Sequence, residues 1–220
     1  MRLHIKTTSN DKLIWYNYQS KLTGVIQKWI GAYNEVHGKS ALYSFSWLNG
    51  GKSQQDGLNF PYGANFFISF YDDLLLKRVM KSILENPEIC FGMKVIDISI
   101  EENPDLAAKN RFLCGSPIFI QRHNGERSIH YTFENENAGL FLQETLSRKM
   151  NLAGLSEDKS LKISFDLTYP NKKTKIIYYK EIGNKISLCP VLIEGKPETK
   201  LFAWNVGLGN STGIGFGAIY

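Results

Sequence analysis

Cysteine is scarce in this chain. Cys90, Cys114 and Cys189 are far apart and odd in number, which excludes a disulfide framework and leaves no pair with metal-ligand spacing. Reduced thiols in a cytoplasmic protein are the expectation. No apolar run approaches the roughly 18 residues of a membrane-spanning helix. The opening MRLHIKTTS alternates like a strand and does not read as a signal peptide, so no membrane partner is expected. Histidine is limited to His4, His37, His123 and His130, no two of them spaced for a metal. No acidic cluster suits a two-metal nuclease, so neither metal nor other cofactor is expected. No Gly-Lys-Ser/Thr follows the glycine cluster at 207–217, which excludes a Walker loop there. The main glycine cluster closes the sequence instead of joining a first strand to a helix, which excludes a dinucleotide fingerprint. Fixed-period repeats and low-complexity tracts are also missing.

What is present is an ordinary hydrophobic share, 43%, for a chain of 220 residues that can hold one large or two small domains. The net charge is +5. It is uneven: residues 1–110 carry 12 Lys/Arg against 11 Asp/Glu, residues 111–220 carry 14 against 10. A polyanionic partner fits that bias, as does a merely solubilising surface. The last eighteen residues, AWNVGLGNSTGIGFGAIY, hold Gly207, Gly209, Gly213, Gly215 and Gly217 with Leu208, Ile214 and Phe216 between them. So much ordering entropy must be offset by positive φ angles or a close backbone approach. Two readings stay open: a nest of N–H groups for a phosphate backbone, or a tight turn into a buried edge strand.

Taken in order, Leu3 and Ile5 mark a first strand. Asn17 can cap a helix whose stripe is Leu22, Val25, Ile26, Trp29 and Ile30, ending at Gly31 or running on to Tyr33. Ala41–Leu48, Asn65–Tyr71 and Phe91–Ile100 read as strands around a loop at 50–57 and a helix opened by Asp72 and Asp73 and stopped by Asn86-Pro87. Strand, helix, strand, strand, helix, strand is the ferredoxin-like split βαβ order. The polar stretch 101–109 is the expected boundary, giving domains 1–102 and 110–220. In the second, Phe112–Arg122 and His130–Phe133 read as strands, and 137–152 as a helix with a mixed face of Leu140, Phe141, Glu144, Thr145 and Arg148. Leu161–Tyr169 and Lys175–Ile182 are expected to pair around Pro170–Lys173. Ser187–Glu194 is a strand, Pro197 opens a helix to Val206, and Ile214–Tyr220 returns as a strand. The predicted class is α+β, with two ferredoxin-like (RRM-like) domains in tandem.

Among residues that can carry chemistry, His37 stands out. It sits in a polar segment after the first helix, with Lys39 two residues on and Tyr33 four before. An acid or base beside a cation is what phosphodiester cleavage needs. Arg122, Arg127, Lys172, Lys173, Lys175, Lys180 and Lys185 form the densest basic set, readable as RNA contacts or as solvated strand faces. Tyr178 and Tyr179 beside them can stack bases, though one of two adjacent strand residues normally points inward.

Gly207-Leu208-Gly209, five residues, Gly215-Phe216-Gly217 resembles the glycine-rich signature of the CRISPR-associated repeat-RNA endoribonucleases, the Cas-six family. Asn17–Gln19 with Leu22, Gly24 and Ile26 resembles the family's first helix. His37 followed by Leu42–Ser46 resembles its histidine-then-strand segment, and Val191–Thr199 its run into the glycine-rich loop. The resemblance implies a metal-independent cut within the repeat of a CRISPR precursor RNA, leaving a 2′,3′-cyclic phosphate and a 5′-hydroxyl. It implies His37 as general acid or base and Lys39 as the phosphate-stabilising cation. Gln27 falls where the family often has a catalytic tyrosine, so Tyr33 or Lys28 would take that part. Asn210–Ile214 lacks the Lys or Arg usual there, leaving phosphate contact to the backbone of Gly207, Gly209, Gly215 and Gly217 and to Ser211 and Thr212, with Lys28, Arg122, Arg127, Lys172 and Lys173 around them. The implied partners are repeat RNA, before and after cutting, and a CRISPR effector complex, for a monomer or a homodimer. A catalytically inactive RNA-binding protein or complex subunit of the same fold is the alternative.

Overall fold

The computed structural model describes residues 1–31 and 41–220. The opening alternation forms β1 (Arg2–Thr7), with Leu3 and Ile5 in the core and His4 and Lys6 turned outward. The apolar stripe forms α1 (Gln19–Ile30), burying Leu22, Ile26, Trp29 and Ile30. It starts two residues after Asn17: Tyr18 is the N-cap, without a side-chain cap bond, and Gly31 closes the helix by donating to Gln27 O. Then come β2 (Tyr43–Phe45), shorter than expected, and a small hairpin, β3 (Lys52–Ser53) with β4 (Leu58–Asn59), inside the expected loop. Next are β5 (Asn65–Phe70), α2 (Asp73–Glu85) and β6 (Val95–Glu101). Asp72 caps α2 by accepting from Leu74 N at 2.8 Å, the local signal the sequence carried. Phe91 and Gly92 adopt positive φ, so β6 begins after them, not at Phe91. The sheet order is β2-β5-β1-β6, antiparallel throughout, with both helices packed on one face. That is the split βαβ arrangement.

The second half repeats it. β7 (Arg111–Phe112), α3 (Ala138–Leu152), β10 (Lys162–Phe165), β13 (Val191–Glu194) and α4 (Pro197–Val206) follow in order, and the sheet runs β10-β13-β7. A bridge between Cys114 and Ile219 adds the chain's return on the far side of β7. Two hairpins project from this unit, β8 (Ile120–Asn124) with β9 (Arg127–Tyr131), and β11 (Lys173–Tyr179) with β12 (Ile182–Leu188). The fold is therefore α+β, two ferredoxin-like units in tandem.

Three expectations need correction. The strand at 162–165 pairs with 191–194, not with 173–179, so no hairpin turns at Pro170–Lys173. The turn is instead at Lys180-Glu181, where Lys180 takes φ 55. The buried face of α3 is Ala138, Leu142, Thr145, Leu146, Lys149 and Met150, whereas Leu140 is exposed. The last strand reduces to the Ile219 bridge, with Thr212–Ile214 forming a 3₁₀ turn.

One core gathers residues from Leu3 to Met93, another from Leu106 to Ile219. A third, small cluster of Phe119, Ile186 and Phe216, with Ile177, Leu188 and Ile214 at its margin, sits between the β11–β12 hairpin and the glycine-rich stretch.

Candidate nucleic-acid interface

The glycine-rich stretch leaves α4, whose start is capped by Asp158: its carboxylate accepts from Lys196 N at 2.8 Å and Thr199 Oγ1 at 2.7 Å. Burial works against the ionised form. Bonds from Ser160, Lys196 N–H and Thr199 nevertheless hold the Asp158 carboxyl down at about 2. After Gly207 the chain doubles back, with Leu208 N donating to Gly217 O (2.8 Å) and Gly217 N to Pro117 O (2.7 Å). Gly217 has φ 69, and a β-carbon there would run into the Leu208 carbonyl. A β-carbon on Gly215 would lie 2.9 Å from the Phe45 ring. Gly207 lies against Ser44 and Gly209 against the Phe119 carbonyl. Gly207, Gly209, Gly215 and Gly217 are buried and touch protein, so they offer no surface to a phosphate backbone. Of the two readings of this stretch, close packing accounts for these four.

Gly207 and Gly215 pack against the first ferredoxin-like unit, whereas Gly209 and Gly217 pack within the second. Tyr43 OH donates to Gly213 O (3.1 Å), Ser44 Oγ to Asn205 O (3.1 Å), Trp47 Nε1 to Gly215 O (2.7 Å) and Thr23 Oγ1 to Ile214 O (3.2 Å). Burial, with a smaller push from Tyr179, raises the Tyr43 phenol to about 12, keeping it a donor. From below, Lys149 on α3 is fully enclosed. Its ammonium donates to Val206 O (3.1 Å), Gly207 O (3.4 Å) and Thr212 Oγ1 (3.0 Å). Desolvation, aided by Arg148, lowers its pKa to about 7. Further along the same interface Arg2 is 2% exposed, its guanidinium between the rings of Phe67 (3.8 Å) and Trp204 (3.6 Å). It donates to Ser69 Oγ (2.7 Å) and Ile219 O (2.7 Å).

The expected contact residues divide accordingly. Ser211 is exposed, in the left-handed region at φ 59, and its N–H and that of Thr212 meet no acceptor among the described residues. The Thr212 side chain is buried and committed to Lys149. Lys28, Arg127 and Lys173 are exposed; Lys172 is half-buried with Nζ 3.4 Å from Tyr169 O. Arg122 is turned inward. Its guanidinium bonds Gln121 O, Phe141 O and Glu144, and lies 4.7 Å over the Phe141 ring, so it braces α3. His130 accepts from Lys185 N at 3.2 Å and its ring packs edge-on to Phe119. His4 pairs with Glu101 at 2.7 Å. Tyr33, His37 and Lys39 lie outside the described residues. Ala41, the first residue after that segment, sits where a β-carbon on Gly213 would come within 2.8 Å of its own. Among the described residues no group of three His, Cys, Asp or Glu is placed to hold a metal ion, and no helix is long and apolar enough to cross a membrane.

A family model described as "CRISPR associated protein Cas6, C-terminal" matches residues 101–220. The chain belongs to the Cas6 family. Solved structures agree on the fold. A Cas6-related protein from Pyrococcus furiosus superposes with a TM-score of 0.83 at 22% identity, covering 100% of this chain and 97% of its own. A protein described as CRISPR associated protein Cas6 gives 0.84 at 19%, covering 100% and 98%. A RAMP protein described as binding different RNA substrates gives 0.83 at 19%, again covering 100% and 98%. No curated protein sequence matches. A Cas6 fold supports CRISPR repeat-RNA binding or processing as the coarse function. In this Cas6 chain, Arg2 and Lys149 escaped sequence reasoning. One is a lone arginine in a strand and the other a lysine within a helix, positions usually occupied by solvated charges.

Proposed function

We propose that the protein is a metal-independent endoribonuclease that cuts CRISPR precursor RNA within the repeat, with residues 1–102 and 110–220 as its two domains. In this reading the 2′-oxygen attacks the adjacent phosphorus as its proton passes to a base. The P–O5′ bond breaks, and the leaving oxygen takes a proton from an acid, giving a 2′,3′-cyclic phosphate and a 5′-hydroxyl. His37 serves as that base or acid. Lys39 and the N–H groups of Ser211 and Thr212 meet the charge growing on the phosphate. Tyr33 or Lys28 stands in for the tyrosine that Gln27 replaces, and Lys28, Arg127, Lys172 and Lys173 contact the RNA backbone.

The observation that carries the reading is the Cas6 match over residues 101–220. Ala41 against Gly213 supports it, since Ala41 is four residues from His37 in sequence and Gly213 two from the exposed Ser211. The test is incubation of the pure protein with its repeat RNA in EDTA, resolving the product ends. One cut bearing a cyclic phosphate, lost in His37→Ala while binding persists, is expected. Activity that vanishes on chelation and returns with Mg²⁺ would overturn the metal-independent mechanism. Binding without any cut favours the second reading, a repeat-RNA-binding protein. Gln27 and the cation-free Asn210–Ile214 speak for it.

A further inference from the structure

Away from the glycine-rich turn, the two halves meet again around an open cavity of about 610 Å³. One wall is the loop before α1, with Trp15, Tyr16 and Asn17; the other is the β11–β12 hairpin, with Ile176, Ile177, Tyr178 and Lys180; Asp56 completes the rim. Large apolar side chains face solvent here, Trp15 at 67% exposure, Ile176 at 61% and Tyr178 at 55%. A soluble surface gains nothing by holding an indole and a phenol ring in water at one spot, so such a patch marks a contact.

Both walls are held in place. Ile14, next to Trp15, is buried and exchanges two backbone bonds with Leu58, at 3.1 and 2.7 Å. Tyr16 OH bonds Ser53 Oγ (2.8 Å) and donates to Gln54 O (2.6 Å), fixing the loop to the β3–β4 hairpin. Opposite, Tyr178 pairs across the hairpin with Gly183, where even a β-carbon would come 3.3 Å from the Tyr178 ring. The bare glycine leaves that ring room to lie over the strand. The cavity is thus formed before any partner arrives, which lowers the ordering cost of binding.

The charge around it selects the occupant. Lys180 lines the cavity, on the same strand face as Ile176 and Tyr178, while Lys173 and Lys175 are exposed on the other face of the hairpin and Lys185 lies 4.0 Å from Glu134. An aromatic pair with a cation at its rim, on a hairpin whose other exposed lysines can follow a backbone, is the combination that holds single-stranded nucleic acid: bases stack while cations track phosphates. We infer that this cavity receives one unpaired base of a single-stranded RNA, stacked on Trp15 and Tyr178, with its phosphate toward Lys180. Asn17 and Asp56 on the rim offer hydrogen-bonding partners for a base edge, and the Asp56 carboxylate keeps phosphates on the lysine side. The inference rests on the RNA-handling reading above and adds a contact for an unpaired stretch of the transcript.

The test is equilibrium binding of a labelled single-stranded RNA of about ten nucleotides. Trp15→Ala and Tyr178→Ala should each weaken binding by about 5- to 100-fold, the range set by loss of one base stack, while Trp15→Phe restores most of it. The slope of affinity against salt should stay unchanged in both, because stacking releases no counterions. The same RNA with abasic sugars should bind the parent more weakly and be indifferent to Trp15→Ala. On the unaltered protein, RNA carrying 5-iodouridine should photocrosslink to Trp15 or Tyr178. Parental affinity in both alanine variants, abasic RNA as sensitive as the intact strand, or crosslinks confined to other residues would each overturn the inference. A cavity built for a protein segment would give the first of these. Repeat cleavage followed in parallel separates the two readings: a parent that binds and cuts with variants unchanged sinks the cavity alone, and a parent that binds no RNA sinks both.

Discussion

The glycine-rich stretch 207–217 and the hairpin at 173–188 flank one small apolar cluster, yet they are opposites. The first holds no charged residue, and the carbonyls of Gly207, Gly213, Ile214 and Gly215 with Thr212 Oγ1 are taken up by Lys149, Tyr43, Thr23 and Trp47. The second carries lysines along an exposed ladder, with most of their ammonium groups in water. A glycine cluster suggests an anion nest, and a lysine cluster suggests solvent; here the glycines build a joint between two domains and the lysines remain available. Glycine spacing reports how closely something approaches a backbone. It does not report whether that something is a ligand or the protein itself.

The sharpest way to break this contrast is Gly217→Ala. A β-carbon there meets the Leu208 carbonyl at φ 69, and neither backbone has room to give. The cost should be on the order of 3 kcal/mol or more, read from the urea midpoint, and an unchanged midpoint would refute the close packing of this stretch. Lys149→Met should cost less, about 1–3 kcal/mol, from acceptors left without a donor. It carries a pH signature. The folded protein binds fewer protons than the unfolded chain between about 7 and the ordinary lysine range, so the parent gains stability as pH rises through that window. The methionine variant should lose this gain; parallel melting curves for the two against pH would refute the buried amine's role.

On the hairpin side the effect should move from stability to binding. Lys172→Ala with Lys173→Ala should leave stability within about 0.5 kcal/mol but flatten the salt dependence of RNA affinity by about one contact for each phosphate lost. Arg122→Ala is the counterpart: about 1–2 kcal/mol lower stability from lost bonds to Phe141 and Glu144, with the salt slope intact. Reversed results for the two variants would reverse the assignment of brace and contact.

Much of the scaffold was legible because local chemistry and tertiary fold agree. The α1 stripe, the Asp72 cap and Pro197 opening α4 all appear where periodicity and capping rules put them. Strand pairing in the second unit was not legible. Residues 162–165 and 173–179 carry similar patterns, and Pro170–Lys173 looks like a better turn than Lys180-Glu181, where a non-glycine residue takes a positive φ. The site was legible only as a set of residue types. Nothing local distinguishes Arg122, which folds back on Phe141, from Arg127, which does not, because the difference lies in the 22-residue reach to Glu144.

The cluster of Phe119, Ile186 and Phe216 gives the hairpin a mechanical character. Ile186 belongs to β12 and Phe216 to the stretch between Gly215 and Gly217, with Phe119 wedged against both. A load on this hairpin therefore passes through Ile186 and Phe119 to Phe216, which the flanking Gly215 and Gly217 hold against Phe45 and Leu208.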